Sequence, residues 1–258
     1  MKVTKLDQPV ELFEKDVWVE SGFFRLSKTG RPATGRLTHY HDNGNVAIRL
    51  NVRRGRLHGL WEEFFENGDI DYWCTFANGK RDFYDEKYDK YGRLISSSCW
   101  LNDQLHGTFK RYELNNLVEH AEYQAGLRHG WHVYRHENGK RKEEQCWDEG
   151  VRIGQWRTFY ESGKVERDIH YEKGVKVGEH KLYYENGSLE MIAKIVNGEP
   201  HGATYTYDPY GKLSISQQYK NGVLHGVERM FHTDQSLFSE IVWDEGKKIS
   251  EVSYLWSE

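Results

Sequence analysis

Three cysteines and four prolines are all that 258 residues contain, and no apolar run approaches the roughly 20 residues needed to span a bilayer. An odd number of cysteines with no close pair excludes a disulfide framework and fits a reducing cytosol. The opening stretch "MKVTKLDQPVELFEKD" has no apolar core, so no signal peptide is expected and the location is read as cytoplasmic. Excess charge of one sign is also missing: 36 Lys and Arg face 40 Asp and Glu, a net charge of -4. A nucleic-acid binder usually carries a clear basic surplus, so nucleic acid is not an expected partner. No Gly-x-Ser-x-Gly, Walker loop, dinucleotide fingerprint or His-Glu-x-x-His occurs. The expectation is a non-enzyme with no cofactor and no metal.

Aromatics are abundant: Phe, Trp and Tyr make up 14% of a chain that is only 37% hydrophobic. They follow a period. "GRLHGLWEEFFENGDI", from Gly55 to Ile70, recurs along the chain. Its first glycine returns at Gly79, Gly126, Gly150, Gly174, Gly198, Gly222 and Gly246, a spacing of 24 residues except where Asp103 replaces one glycine and the next interval is 23. A second glycine follows four residues on, at Gly59, Gly107, Gly130, Gly154, Gly178, Gly202 and Gly226; Phe83 stands at that place in the copy from Gly79. A third follows nine residues later, as in Gly68 and Gly187.

Each unit reads as a β-hairpin. In "FFENGDI" and "YYENGSL" an Asn-Gly pair separates two apolar-aromatic runs, which predicts a type I′ turn there. Ile70, Tyr72, Cys74 and Phe76 alternate with Asp71, Trp73 and Thr75, the period of a strand. Two aromatic columns emerge: Tyr40, Phe64, Tyr88, Tyr112, Phe159, Tyr183, Tyr207 and Phe231, with Tyr134 filling the place in the Gly130 copy; and Phe76, Trp100, Tyr123, Trp147, Tyr171, Tyr219 and Trp243, with Ile195 in the series. Two strands per repeat advance about 10 Å, so rings of one column interleave with the intervening strand instead of stacking on each other. The fold expected is all-β: an elongated, twisted single antiparallel sheet of about nine 24-residue β-hairpin repeats, with residues 1–29 as an N-terminal cap, 30–246 as the array and 247–258 as a C-terminal capping strand. "DVWVESGFFRL" reads as a capping hairpin, and "SYLWSE" as an apolar edge able to dimerise.

"LHGLWEEFFENGDI", "RIGQWRTFYESGKV" and "KVGEHKLYYENGSL" resemble the MORN repeat, most of all its bacterial variant, over about Gly30 to Gly246. The resemblance implies a protein-binding scaffold. Relatives of this variant are often named antitoxins of the YwqK type, which implies an immunity protein that neutralises a toxin encoded nearby by direct binding. The alternative it implies is a phospholipid- or membrane-surface-binding scaffold, which needs a contiguous basic face. Residues 127–181 hold 12 Lys and Arg against 10 Asp and Glu, and residues 55–103 hold 6 against 10.

His58, His106, His129, His201 and His225 fill one column but lie about 10 Å apart in neighbouring repeats, too far to share a metal. They are expected to fix turns by hydrogen bonding. Cys99 and Cys146 share a face at a distance of two repeats, and Cys74 faces the other side. The acidic, irregular copies from Gly55 to Asp103 are the expected partner site. Its candidates are Glu63 and Phe65 on one face, Trp73 opposite the Ile70–Phe76 face, Phe83 at the broken glycine position, and Asp85 and Asp89 as charges suited to a basic partner.

Overall fold

The computed structural model describes residues 10–254. Residues 1–9 of the expected cap, and 255–258 of the expected apolar edge, lie outside the described residues. The chain groups into two compact units, Met1–Leu127 and Arg128–Glu258. Among the described residues the regular structure is strand, apart from one short 3-10 turn at Glu14–Asp16.

In the first unit the strands Gly35–Tyr40, Val46–Arg53, Arg56–Phe64, Ile70–Ala77, Lys80–Tyr88, Leu94–Leu101, Gln104–Glu113 and Asn116–Gln124 pair antiparallel in chain order. The short strand Glu11–Leu12 joins the first of them in parallel. The capping hairpin forms as expected, with Val17–Glu20 paired to Phe23–Leu26. It docks where the Phe24 amide donates to the Gly55 carbonyl at 2.8 Å. Glycine is required there: a Cβ on Gly55 would sit 2.4 Å from the Phe23 ring.

In the second unit the hairpins continue from Gly130–Arg135 and Arg141–Asp148 through Val151–Phe159, Val165–Glu172, Val175–Tyr183, Leu189–Val196, Glu199–Tyr207 and Leu213–Lys220 to Gly226–Phe231 and Leu237–Asp244. The strand Lys247–Ser253 pairs with Leu237–Asp244, and all seven of its residues are exposed. The all-β hairpin array read from the sequence is therefore the fold of each unit.

The turns differ from expectation. Asn67 at the tip keeps negative φ and only Gly68 is positive, at 89°. The Gly68 amide donates to the Phe65 carbonyl and the Phe65 amide to the Asp69 carbonyl. This is a longer loop closed by a glycine bulge, not a type I′ turn. The asparagine acts through its side chain instead: Asn43 and Asn138 donate Nδ2 to the Glu66 and Glu161 carbonyls of the next tip, at 2.7 and 2.8 Å. Type I′ geometry appears at the other end of each hairpin, as in Asn78 and Gly79 with φ of 53° and 86°. The 23-residue interval now has a cause. In that copy the tip shrinks to a two-residue turn, Leu114 and Asn115, with φ of 48° and 69°.

The core is thin. Among the described residues the buried apolar ones are mostly small, Cys74, Ala121 and Ala193 among them, and Tyr171 is the one Phe, Trp or Tyr that is buried. The first aromatic column is half-buried, and its Tyr40 is 55% exposed. A single sheet layer leaves both faces near water, so aromatic size substitutes for depth. Register places Arg135, not Tyr134, in that column, because Arg135 pairs with Arg141 as Phe159 pairs with Val165. The second column interleaves as expected: Trp147, Trp156 and Tyr171 follow one another at 5.5 and 4.9 Å between ring centroids, with Trp156 supplied by the intervening strand. Opposite Phe76, Tyr123, Trp147, Tyr171, Tyr219 and Trp243 stands a second-column glycine in each case.

Candidate docking face of the first unit

The two faces of the Ile70–Ala77 strand carry different chemistry. On one, Asp85 is 6% exposed and receives Trp100 Nε1 at 2.7 Å and the Tyr72 hydroxyl at 3.2 Å, with the Arg81 guanidinium 4.0 Å away. Arg81 also lies over the Trp100 ring at 4.5 Å. Burial, aided by neighbouring Cys74 and Asp85, raises the Tyr72 hydroxyl pKa, and burial likewise raises the Cys74 thiol. Both therefore stay protonated. Asp85 is thus a buried acceptor that organises the copy lacking its glycine, not a charge offered to a partner. The second unit has the same solution, with Trp243 Nε1 donating to the buried Glu228 at 2.7 Å.

On the other face Trp73 pairs in register with Glu62 on one neighbouring strand and Glu86 on the other. Its Nε1 donates to Glu86 at 3.0 Å, and its ring stacks on Tyr84 at 6.3 Å and 21°. Glu62 pairs with Arg49 at 3.5 Å. Leu60 faces Thr75 beside them and is 43% exposed; Tyr84 is 41% exposed.

Phe83 completes this face. It holds φ of 71° at a place where the other copies hold glycine at 61° to 101°, and it is 70% exposed. A Cβ at three of those glycines would meet Asn51 from Gly59, Cys99 from Gly107 and Cys146 from Gly154, while at Gly178 and Gly202 it would meet nothing within 4 Å. Thr75 takes the place of Asn51 one repeat on, so the Phe83 Cβ leaves the backbone on the Trp73 and Tyr84 side. A bulky residue in left-handed conformation costs about 1–2 kcal/mol, and such strain persists where the surroundings or a function demand it.

The remaining candidates fall elsewhere. Glu63 lies on the Asp85 face and accepts Trp61 Nε1 at 2.9 Å. Phe65 opens the tip turn. Asp89 opens the next tip, accepting the Tyr91 and Arg93 amides at 2.9 and 3.0 Å and the Arg93 side chain at 2.7 Å. Partial desolvation pushes the Asp89 pKa up, but the Arg93 and Tyr91 amides and the Arg93 guanidinium outweigh it and hold the carboxyl below its ordinary value. The structure thus puts Trp73 on the face opposite Glu63 and Asp85 and turns the Phe83 Cβ to the Trp73 side, while Phe65 and Asp89 stand at the tips. Leu60, Glu62, Tyr84 and Glu86 were missed. Counting register back from the Asn78-Gly79 turn would have put Tyr84 opposite Trp73; the bulge between Cys74 and Phe76 puts Glu86 there instead.

The histidine column behaves as turn fasteners. The Nδ1 atoms of His58, His106 and His201 accept the amides of Asn78, Ala125 and Asn221 at 3.4 to 3.5 Å, and those of His129 and His225 meet Asp148 and Asp244 at 3.3 and 3.2 Å.

The family model described as "MORN repeat variant" matches residues 57–78, 152–173 and 176–197. The chain carries the MORN repeat at those three places. One matched MORN copy supplies Leu60, Glu62 and Trp73, while Phe83 lies in the next copy, which the model does not match. MORN repeats are in general protein- or membrane-binding modules. Comparison with curated proteins gives no match. Two solved structures are similar at low level. The "Crystal Structure of TcdB2-TccC3" has 9% identity and a TM-score of 0.21, over 81% of this chain and 15% of that one. The "Crystal Structure of TcdB2-TccC3-Cdc42" has 10% identity and a TM-score of 0.22, over 86% of this chain and 14% of that one. This chain therefore spans a small fraction of their length.

Proposed function

We propose that this is a non-catalytic, cytoplasmic binding protein that neutralises a toxin encoded beside it, and that the toxin docks on the Leu60, Trp73, Phe83 and Tyr84 face. The observation that carries the reading is Phe83: an exposed aromatic held in glycine's conformation, next in the chain to Tyr84, which stacks on Trp73. Interface hot spots favour aromatic anchors surrounded by a polar rim. Glu62 and Glu86 supply acidic rim groups, and the acidic balance of residues 55–103 suits a basic partner and speeds its encounter. Asp85 and Asp89 drop out of this surface because both are committed internally.

The test is co-expression with the adjacent gene. Expression of the neighbour alone should arrest growth, and the parent chain should rescue it. Phe83→Gly, which restores the array's own residue, should fold and fail to rescue. Rescue by Phe83→Gly at parental level would move the contact off this face. A chain that gives no rescue but floats with anionic vesicles would favour the lipid-binding alternative.

A further inference from the structure

We propose that the N-terminal cap holds a binding site for a free single-chain carboxylic acid of about ten to twelve carbons, independent of the docking face. The capping hairpin does not close fully on the sheet. Val17, Val19 and Phe24 from the hairpin and Leu37, Ile48, Leu50 and Trp61 from the sheet line an open hollow of about 280 Å³. Three residues with polar side-chain groups line it, His39, Thr38 and Trp61; the Thr38 hydroxyl donates to Glu11 at 2.9 Å, and Trp61 Nε1 donates to Glu63. A hollow whose walls are mostly apolar holds water poorly and takes apolar ligands. A cavity of about 150 Å³ accepts the six carbons of benzene; in proportion, this one takes roughly ten to twelve.

A second hollow shares Thr38 and His39 with the first and is lined also by Phe13, Lys15 and Tyr40. Lys15 is the one fixed charge among the residues lining that second hollow, and its ammonium stands 5.7 Å from the Phe13 ring centroid. An apolar hollow that shares a wall with one holding an ammonium matches one chain with an anionic end. The apolar volume holds one chain, which favours the free acid over a two-chain membrane lipid.

Decanoate is titrated calorimetrically into the full chain below its micellar concentration. Saturable binding at one site per chain is expected. Leu50→Trp, which fills the hollow, should weaken it at least tenfold. Val19→Trp does the same from the exposed hairpin strand and covers the case in which Leu50→Trp fails to fold. Lys15→Glu should weaken decanoate about fivefold and leave decanol unchanged. Absence of saturable binding, parental affinity in both filled variants, or binding to anionic vesicles without binding to decanoate would each overturn the assignment.

Discussion

The strain at Phe83 can be measured apart from its contacts by comparing two truncations. Phe83→Ala removes the ring but leaves a Cβ in left-handed conformation; Phe83→Gly removes both. The conformation costs an L-residue about 1–2 kcal/mol, while glycine forfeits about 0.5–1 kcal/mol through the greater freedom of the unfolded chain. The glycine variant should therefore be the more stable of the two by about 0.5–1 kcal/mol. At an ordinary strand position the order reverses. The ring itself contributes little. With 70% of the residue exposed, about 60 Å² of a ring that could bury about 200 Å² is at stake, or at most about 1.5 kcal/mol at 25 cal/mol per Å². Phe83→Gly should lie within about 1 kcal/mol of the parent once strain relief is included. Urea midpoints for the three proteins decide it. An alanine variant more stable than the glycine variant would show that Phe83 is relaxed in solution, and the argument from strain would fall.

Asp85→Lys should cost about 3 kcal/mol or more, because it strands Trp100 Nε1 and the Tyr72 hydroxyl and buries a second cation beside Arg81; Glu62→Lys on the open face should cost under about 1 kcal/mol, and equal losses would contradict the burial of Asp85. Tyr171→Ala, at 4% exposure and 4.9 Å from Trp156, should cost about 3–5 kcal/mol, and the half-buried Phe159→Ala clearly less in the same denaturation series. Burial first, and then Lys176 and Arg167, lower the pKa of His180, so the folded state resists protonation there. The unfolded chain then binds the extra proton first, and this contribution to stability is complete above pH about 6.5 and is lost as pH falls toward the depressed folded value. His180→Leu should lose less stability than the parent between pH 7 and pH 5; parallel pH profiles would refute the assignment.

Much of the fold is legible because a hairpin array repeats its errors and its rules alike. Gly59, Gly107 and Gly154 mark one bulge three times, and the alternation from Ile70 to Phe76 settles both faces of that strand. The His58 column was readable for the same reason, since only a neighbouring turn lies within reach of each ring. Turn type was not legible: Asn-Gly serves a type I′ turn and a bulged loop equally well, and the choice rests on the Asx bonding of Asn67 and on cross-tip bonds such as that of Asn43. Nor was depth. Asp85 occupies the register of Trp61 and Phe109, yet its type suggested a solvated charge. Only the convergence of Trp100, Tyr72 and Arg81, which come from three strands, explains its burial.

The most direct test of the docking face is a calorimetric titration of the neighbouring gene's product against the parent chain, Phe83→Gly and Trp131→Ala, the last removing a half-exposed aromatic from the second unit. The account predicts a loss of about 2 kcal/mol, or about thirtyfold in affinity, for Phe83→Gly and parental affinity for Trp131→Ala. Parental affinity for a folded Phe83→Gly, with the loss appearing at Trp131, would contradict it.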